Sequence, residues 1–300
     1  MKNKILKSAI LLLMFICCTR CMTVLGTSYP DASTILNMVA GGILPYLIAS
    51  FVDFTDNTNW KSSQRKLLRG GFINKNTPIR ISFAYLFRIK IDGKYFLVKN
   101  ARGTNKYQPV GGVYKLHPRE SQYLRQKFHA EDDDKIPVDR SSKGDYRLRF
   151  KNRYLRKFVL RFNTTKNRET INNLSREFIE ELFSTSILRK NSFGQLTYTY
   201  VGRHMSELKF SEHFQCYELL LADIVEVKLS EHQEQLFRNL ICKITDQYMF
   251  ASDEQINSLG IDTNNAQLVE TIGDHTKKIL LENTDLLDSP LIKKSWSIDL

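Results

Sequence analysis

Three carboxylates crowd the segment Arg176-Glu177-Phe178-Ile179-Glu180-Glu181. On a helix, Glu177, Glu180 and Glu181 stand at i, i+3 and i+4 and share one face. Like charges so placed repel by roughly 0.2–0.5 kcal/mol per pair. A hard cation that prefers carboxylate oxygen, Mg2+ or Mn2+, would relieve that repulsion; a solvated acidic helix is the plainer reading. Upstream, Gln108-Pro-Val-Gly-Gly-Val113 sets Gly111 beside Gly112, where backbone can approach a ligand or simply turn. A third feature is cationic. Arg147, Arg149, Lys151, Arg153, Arg156, Lys157 and Arg161 put seven cations into fifteen positions. Arginine forks grip phosphate bidentately, and Tyr146 or Tyr154 could stack on a base. A solvated helix or a patch facing anionic lipid would use the same residues.

The elements that must position these groups are legible in the periodicity. Residues 79–91 alternate strictly, with Ile79, Ile81, Phe83, Tyr85, Phe87, Ile89 and Ile91 on one side, which predicts a strand with one buried face. Asp92-Gly93 then predicts a type I′ hairpin turn returning through 94–99. Further strands are expected over 196–201 and 216–227, and helices over 151–162, 172–183 and 230–244. Ser230 can cap the last of these, and Ser252-Asp-Glu-Gln255 reads as a capping box. The stretches 131–134 and 141–144 read as solvated loop.

Charge is distributed unevenly along the 300 residues, whose net charge is +12. Residues 57–168 carry 28 basic and 8 acidic side chains, and residues 169–300 carry 12 and 21. A basic stretch and an acidic stretch in one domain predict an anion-binding face beside a carboxylate cluster. Two apolar runs, 9–25 and 35–52, precede this domain; the second is uncharged and, at ~1.5 Å per residue, reaches about 27 Å. Lysines before the pair and Lys61, Arg65, Lys66 and Arg69 after it predict a transmembrane hairpin with both ends cytoplasmic. The expected organisation is therefore a membrane hairpin over 1–56, a basic linker over 57–77 and a cytosolic domain over 78–300. A cleaved signal peptide and a pair of buried helices are the competing readings of the N-terminus. Cys216 and Cys242, with no CxxC neighbour, read as small core side chains in a reducing compartment. No helix-turn-helix or finger spacing points to duplex DNA.

The segment from Arg176 to Glu181 resembles the core of the Nudix box, G-x(5)-E-x(7)-R-E-U-x-E-E-x-G-U, where U is aliphatic. The earlier box glutamate falls at Arg168, with Glu169 one place late, and the late glycine falls at Phe183. The order Tyr107-Gln-Pro-Val-Gly-Gly-Val-Tyr-Lys115, Asp145-Tyr-Arg-Leu-Arg-Phe150, the box, and Gly273-Asp-His-Thr-Lys-Lys-Ile-Leu280 is similar to the SMODS-associated Nudix domain. The resemblance spans about residues 78–280 and implies an α/β fold, an α/β/α sandwich following the two-helix transmembrane hairpin. It implies Mg2+ or Mn2+ as cofactor, with Glu177, Glu180 and Glu181 as ligands, and Gly111, Gly112, Arg147, Arg149 and Arg176 as nucleotide contacts. It also implies a multi-pass effector of CBASS anti-phage defence in the bacterial inner membrane. Such an effector would sense a cyclic nucleotide messenger made by a CD-NTase, assemble into homo-oligomers and disrupt the lipid bilayer. The alternative is a membrane-anchored, Mg-dependent pyrophosphohydrolase of nucleoside diphosphate derivatives.

Overall fold

The computed structural model describes residues 2–25, 29–55, 60–100, 104–133, 135, 142–261, 269–280 and 295–300. The chain divides into two compact units, Met1–Lys66 and Leu67–Leu300. In the first unit α1 (Lys2–Leu25) and α2 (Pro30–Thr55) are helices where two were expected, with Pro45 accommodated inside α2. The transmembrane reading gains no support: among the described residues, no helix is long and apolar enough to cross a membrane. The expected linker is partly helical too, as α3 (Trp60–Arg69).

Strands dominate the second unit. In chain order they are β1 (Pro78–Arg88), β2 (Lys90–Ile91), β3 (Lys94–Lys99), β4 (Tyr107–Gln108), β5 (Gly111–Val113) and β6 (Glu131–Asp132). They continue as β7 (Arg147–Lys151), β8 (Gln195–Met205), β9 (Lys209–Ser211), β10 (Cys216–Lys228), β11 (Tyr248–Ala251) and β12 (Ser295–Asp299). The larger sheet runs β12-β8-β10-β1-β7-β6, with β5 also on β1 and β9 on β10. The smaller runs β11-β3-β2, with β4 on β3. Asp92 and Gly93 both take positive φ, 47° and 81°, as the expected hairpin turn requires.

β1 is the axis of the fold. It pairs in parallel with β10 and antiparallel with β7 and β5 along its other edge. Its Ile79, Ile81, Phe83, Tyr85 and Phe87 are fully buried, beneath α4 (Pro118–Phe128) and α5 (Leu155–Thr164) and the segments beside them. Aromatic rings knit this layer, with Phe83–Phe162 centroids 4.8 Å apart and Phe150–Phe158 4.3 Å apart. The opposite face was expected to meet solvent, yet Arg80 and Arg88 are 3% and 4% exposed. Ion pairing makes this possible: Arg80 reaches Asp133 at 2.6 Å and Glu218 at 3.0 Å, and Arg88 reaches Glu226 at 3.4 Å. Between these two arginines the same face carries Ser82, Ala84 and Leu86, with Leu220 and Ala222 beside them on β10. Small side chains there leave room for a cavity. The result is a mixed α/β fold with a curled sheet.

Candidate functional site

The cavity measures about 720 Å³ and takes Ser82, Ala84, Leu86 and Ala222 into its wall. Gly111, Gly112, Glu177, Glu180, Glu181 and Arg147 also line it, so six of the eight expected site residues converge there. The glycines are required by close approach. Gly111 has φ +153° and any side chain would collide with the Tyr85 carbonyl, while a side chain at Gly112 would collide with the Glu177 carboxylate. Gly111 N–H donates to Glu181 Oε2 at 2.9 Å. The glycine pair thus seats the box carboxylates against β1.

The box itself departs from a regular helix. Expected over 172–183, it consists of α6 (Arg176–Phe178) followed by a π-helical turn, Ile179–Phe183. Glu177 and Glu181 turn inward, whereas Glu180 stays exposed. Burial drives the Glu181 carboxyl up to about 8, with the Gly111 N–H opposing and the two neighbouring glutamates adding to the rise. Burial also raises Glu177, against the attraction of Arg176. Phe183, standing where the box has glycine, packs on Phe178 and Phe193 with centroids 5.7 Å from each.

Arg176 sits behind this wall and braces it. Its guanidinium donates to Glu177 Oε1 at 2.6 Å, to Glu169 Oε2 at 3.2 Å and to the Val113 carbonyl at 2.9 Å. Glu169, one residue late in the box, therefore still joins the cluster, and the Tyr85 hydroxyl donates to it at 3.1 Å. Arg168, at the regular box position, instead stacks 3.7 Å over Phe162. Glu177 is thus engaged by Arg176, and Glu181 by Gly111. Among the described residues no group of three or more His, Cys, Asp or Glu is placed to hold a metal ion.

The arginine cluster divides. Arg147 borders the cavity, paired with Asp145 at 3.1 Å. Arg149 lines a separate pocket of about 160 Å³ with Arg80, Phe214 and Cys216. The cations of α5 lie on the helical side of the sheet. Among the cavity residues that escaped the sequence reading are Lys99, Asp246, and His275 and Lys278 on the 3-10 turn Asp274–Ile279. The segment was legible only as part of a motif, because a lone His and Lys carry no spacing. His275 is exposed at the cavity wall, yet the protein packed around its ring, then the Lys278 charge, lowers its pKa to about 4. Burial also lowers Lys278, with Asp274 opposing. The cysteines expected in the core are not there: Cys216 is half-buried and Cys242 exposed.

Residues 78–280, about two thirds of the chain, match the family model described as the SMODS-associated NUDIX domain. No curated protein matches the chain. Nudix domains in general use divalent metals.

Proposed function

The chain belongs to the SMODS-associated Nudix family, which points to effectors of CBASS-type defence, and on that premise we propose that its cavity senses a cyclic nucleotide messenger. The observation that carries this reading is one cavity lined by cations and by box carboxylates together, over a floor of small side chains. Arg147 and Lys278 supply charge for phosphate, and the Ser82–Ala84–Ala222 floor leaves space for a flat base. A Mg2+ or Mn2+ ion brought in by the ligand would meet Glu177, Glu180 and Glu181. Because Arg176 and Gly111 already occupy two of these carboxylates, retention of the ligand is favoured over its hydrolysis.

The output we propose is membrane disruption by assembled chains, with the second unit on the cytoplasmic side. Its support is the uncharged run 35–52 and the basic residues flanking the N-terminal helices. The competing reading, a pyrophosphohydrolase, draws on the closeness of Glu177 and Glu181 to Gly111 and Gly112. Incubating the full chain with cyclic oligonucleotides and nucleoside diphosphate derivatives, with and without Mg2+, separates the two. Calorimetric binding with the ligand recovered intact supports the sensor; steady release of monophosphate products assigns the hydrolase. Arg147→Glu abolishes binding, whereas Arg149→Glu, outside the cavity, retains it.

A further inference from the structure

We propose that the outer face of α4 and α5 docks on an anionic lipid surface. The two helices form one layer. Glu120 of α4 accepts both Nε and Nη2 of Arg161 at 2.9 and 2.6 Å, and Phe128 packs on Phe158 with centroids 5.9 Å apart. Residues 118–128 and 151–166 contain nine Lys and Arg and a single carboxylate, Glu120. That carboxylate is fully buried and consumed by Arg161 and Thr165. Neither helix has an exposed carboxylate to set beside the exposed Arg119, Lys127, Arg153 and Lys157; Asp132 of β6 borders the layer and pairs with Arg125 at 2.6 Å. In their midst Leu160 is 64% exposed, although α5 buries Leu155, Phe158, Val159 and Phe162 on its other side.

A leucine ringed by cations suits a lipid interface, where headgroup phosphates meet the charges and the acyl boundary takes the aliphatic tip. A single-stranded nucleic acid would instead use bare aromatic faces. Those of this layer already carry guanidinium groups: Arg161 lies 4.3 Å over Tyr123 and Arg153 lies 4.9 Å over Tyr154. This face lies across the larger sheet from the cavity, so a docked domain keeps its cavity open to ligand. The inference stands on the helical layer alone, whatever the cavity binds and whatever the N-terminal helices do.

The test floats the full-length chain with vesicles of phosphatidylcholine, alone or with phosphatidylglycerol, so that any binding through α1 and α2 appears in both. The expected result is binding at least about tenfold tighter to the anionic vesicles, an excess that disappears at roughly 0.5 M NaCl. Replacing Arg153, Arg156 and Lys157 with Glu removes the excess and leaves flotation with neutral vesicles and thermal melting unchanged. Should that triple variant melt early, Arg153→Gln with Lys157→Gln reads the same charge without reversal. Leu160→Ser weakens the anionic binding about threefold with its salt dependence intact. Equal flotation with both vesicle types, or variants that float like the parent chain, overturns the proposal. So does tight binding of a single-stranded RNA to this face with no anionic excess.

Discussion

Two carboxylate clusters in the same unit have opposite characters. Asp223, 1% exposed on β10, accepts four hydrogen bonds: Tyr114 Oη at 2.7 Å, Tyr200 Oη at 3.1 Å, and Arg203 Nε and Nη2 at 2.7 and 2.8 Å. Its charge is fully answered, and Arg203 carries the network on to Asn163 at 2.7 Å. Glu181 has the Gly111 N–H and two other glutamates nearby, so burial keeps its proton on up to about pH 8. The first cluster ties α5, β8 and β10 to Tyr114, the residue after β5. The second sets one arginine, Arg176, against Glu169, Glu177 and Glu180, and leaves Glu181 without a cation of its own at the edge of the cavity.

The contrast breaks most sharply at Asp223. Asp223→Ala leaves Arg203 buried without its counter-charge, and urea unfolding registers a loss of about 3–5 kcal/mol. Gly111→Ala comes next, forcing a side chain onto the Tyr85 carbonyl at positive φ; we expect about 2–3 kcal/mol of destabilisation by the same measurement. The third test is a slope. Glu181 in the folded chain holds its proton above the unfolded value near 4.5. Its contribution is therefore fully present below about pH 4.5 and is lost as pH rises toward 8, by up to about 1.4 kcal/mol per pH unit. Melting curves across that window show the slope in the parent chain and a flatter one in Glu181→Gln. Smallest is Tyr200→Phe, which removes one of four bonds to Asp223 and costs about 1 kcal/mol in melting experiments.

How far these clusters were legible depends on whether chemistry followed sequence order. β1, its hairpin turn and β3 were readable because alternation and Asp92-Gly93 act over neighbours. Buried Arg80 and Arg88 were not, since their partners lie on β10 and near β6, far along the chain. The seven cations from Arg147 to Arg161 formed one block in sequence. Strand β7 then presents Arg147 and Arg149 on the cavity side of the sheet while α5 covers the other side. The box carboxylates were found, but no residue preference announces the π-helical turn over Ile179–Phe183, so the unequal burial of Glu177, Glu180 and Glu181 was invisible. Glu169 looked misplaced by one residue until the reach of Arg176 tied it to Glu177.

The parallel pairing of β1 with β10 also sets a timetable for synthesis. Ile79 lies opposite Tyr217, and the Arg80–Glu218 pair spans 138 residues. At roughly 5–20 residues per second on a ribosome, one whole edge of β1 waits about 7–30 s for its partner. During that interval β5 and β7 can cover only the other edge, and the run from Ile79 to Phe87 remains a strand seeking a neighbour. Nascent chains of this protein will therefore need a holding chaperone until residue 228 emerges, and chains truncated before β10 will accumulate as aggregates.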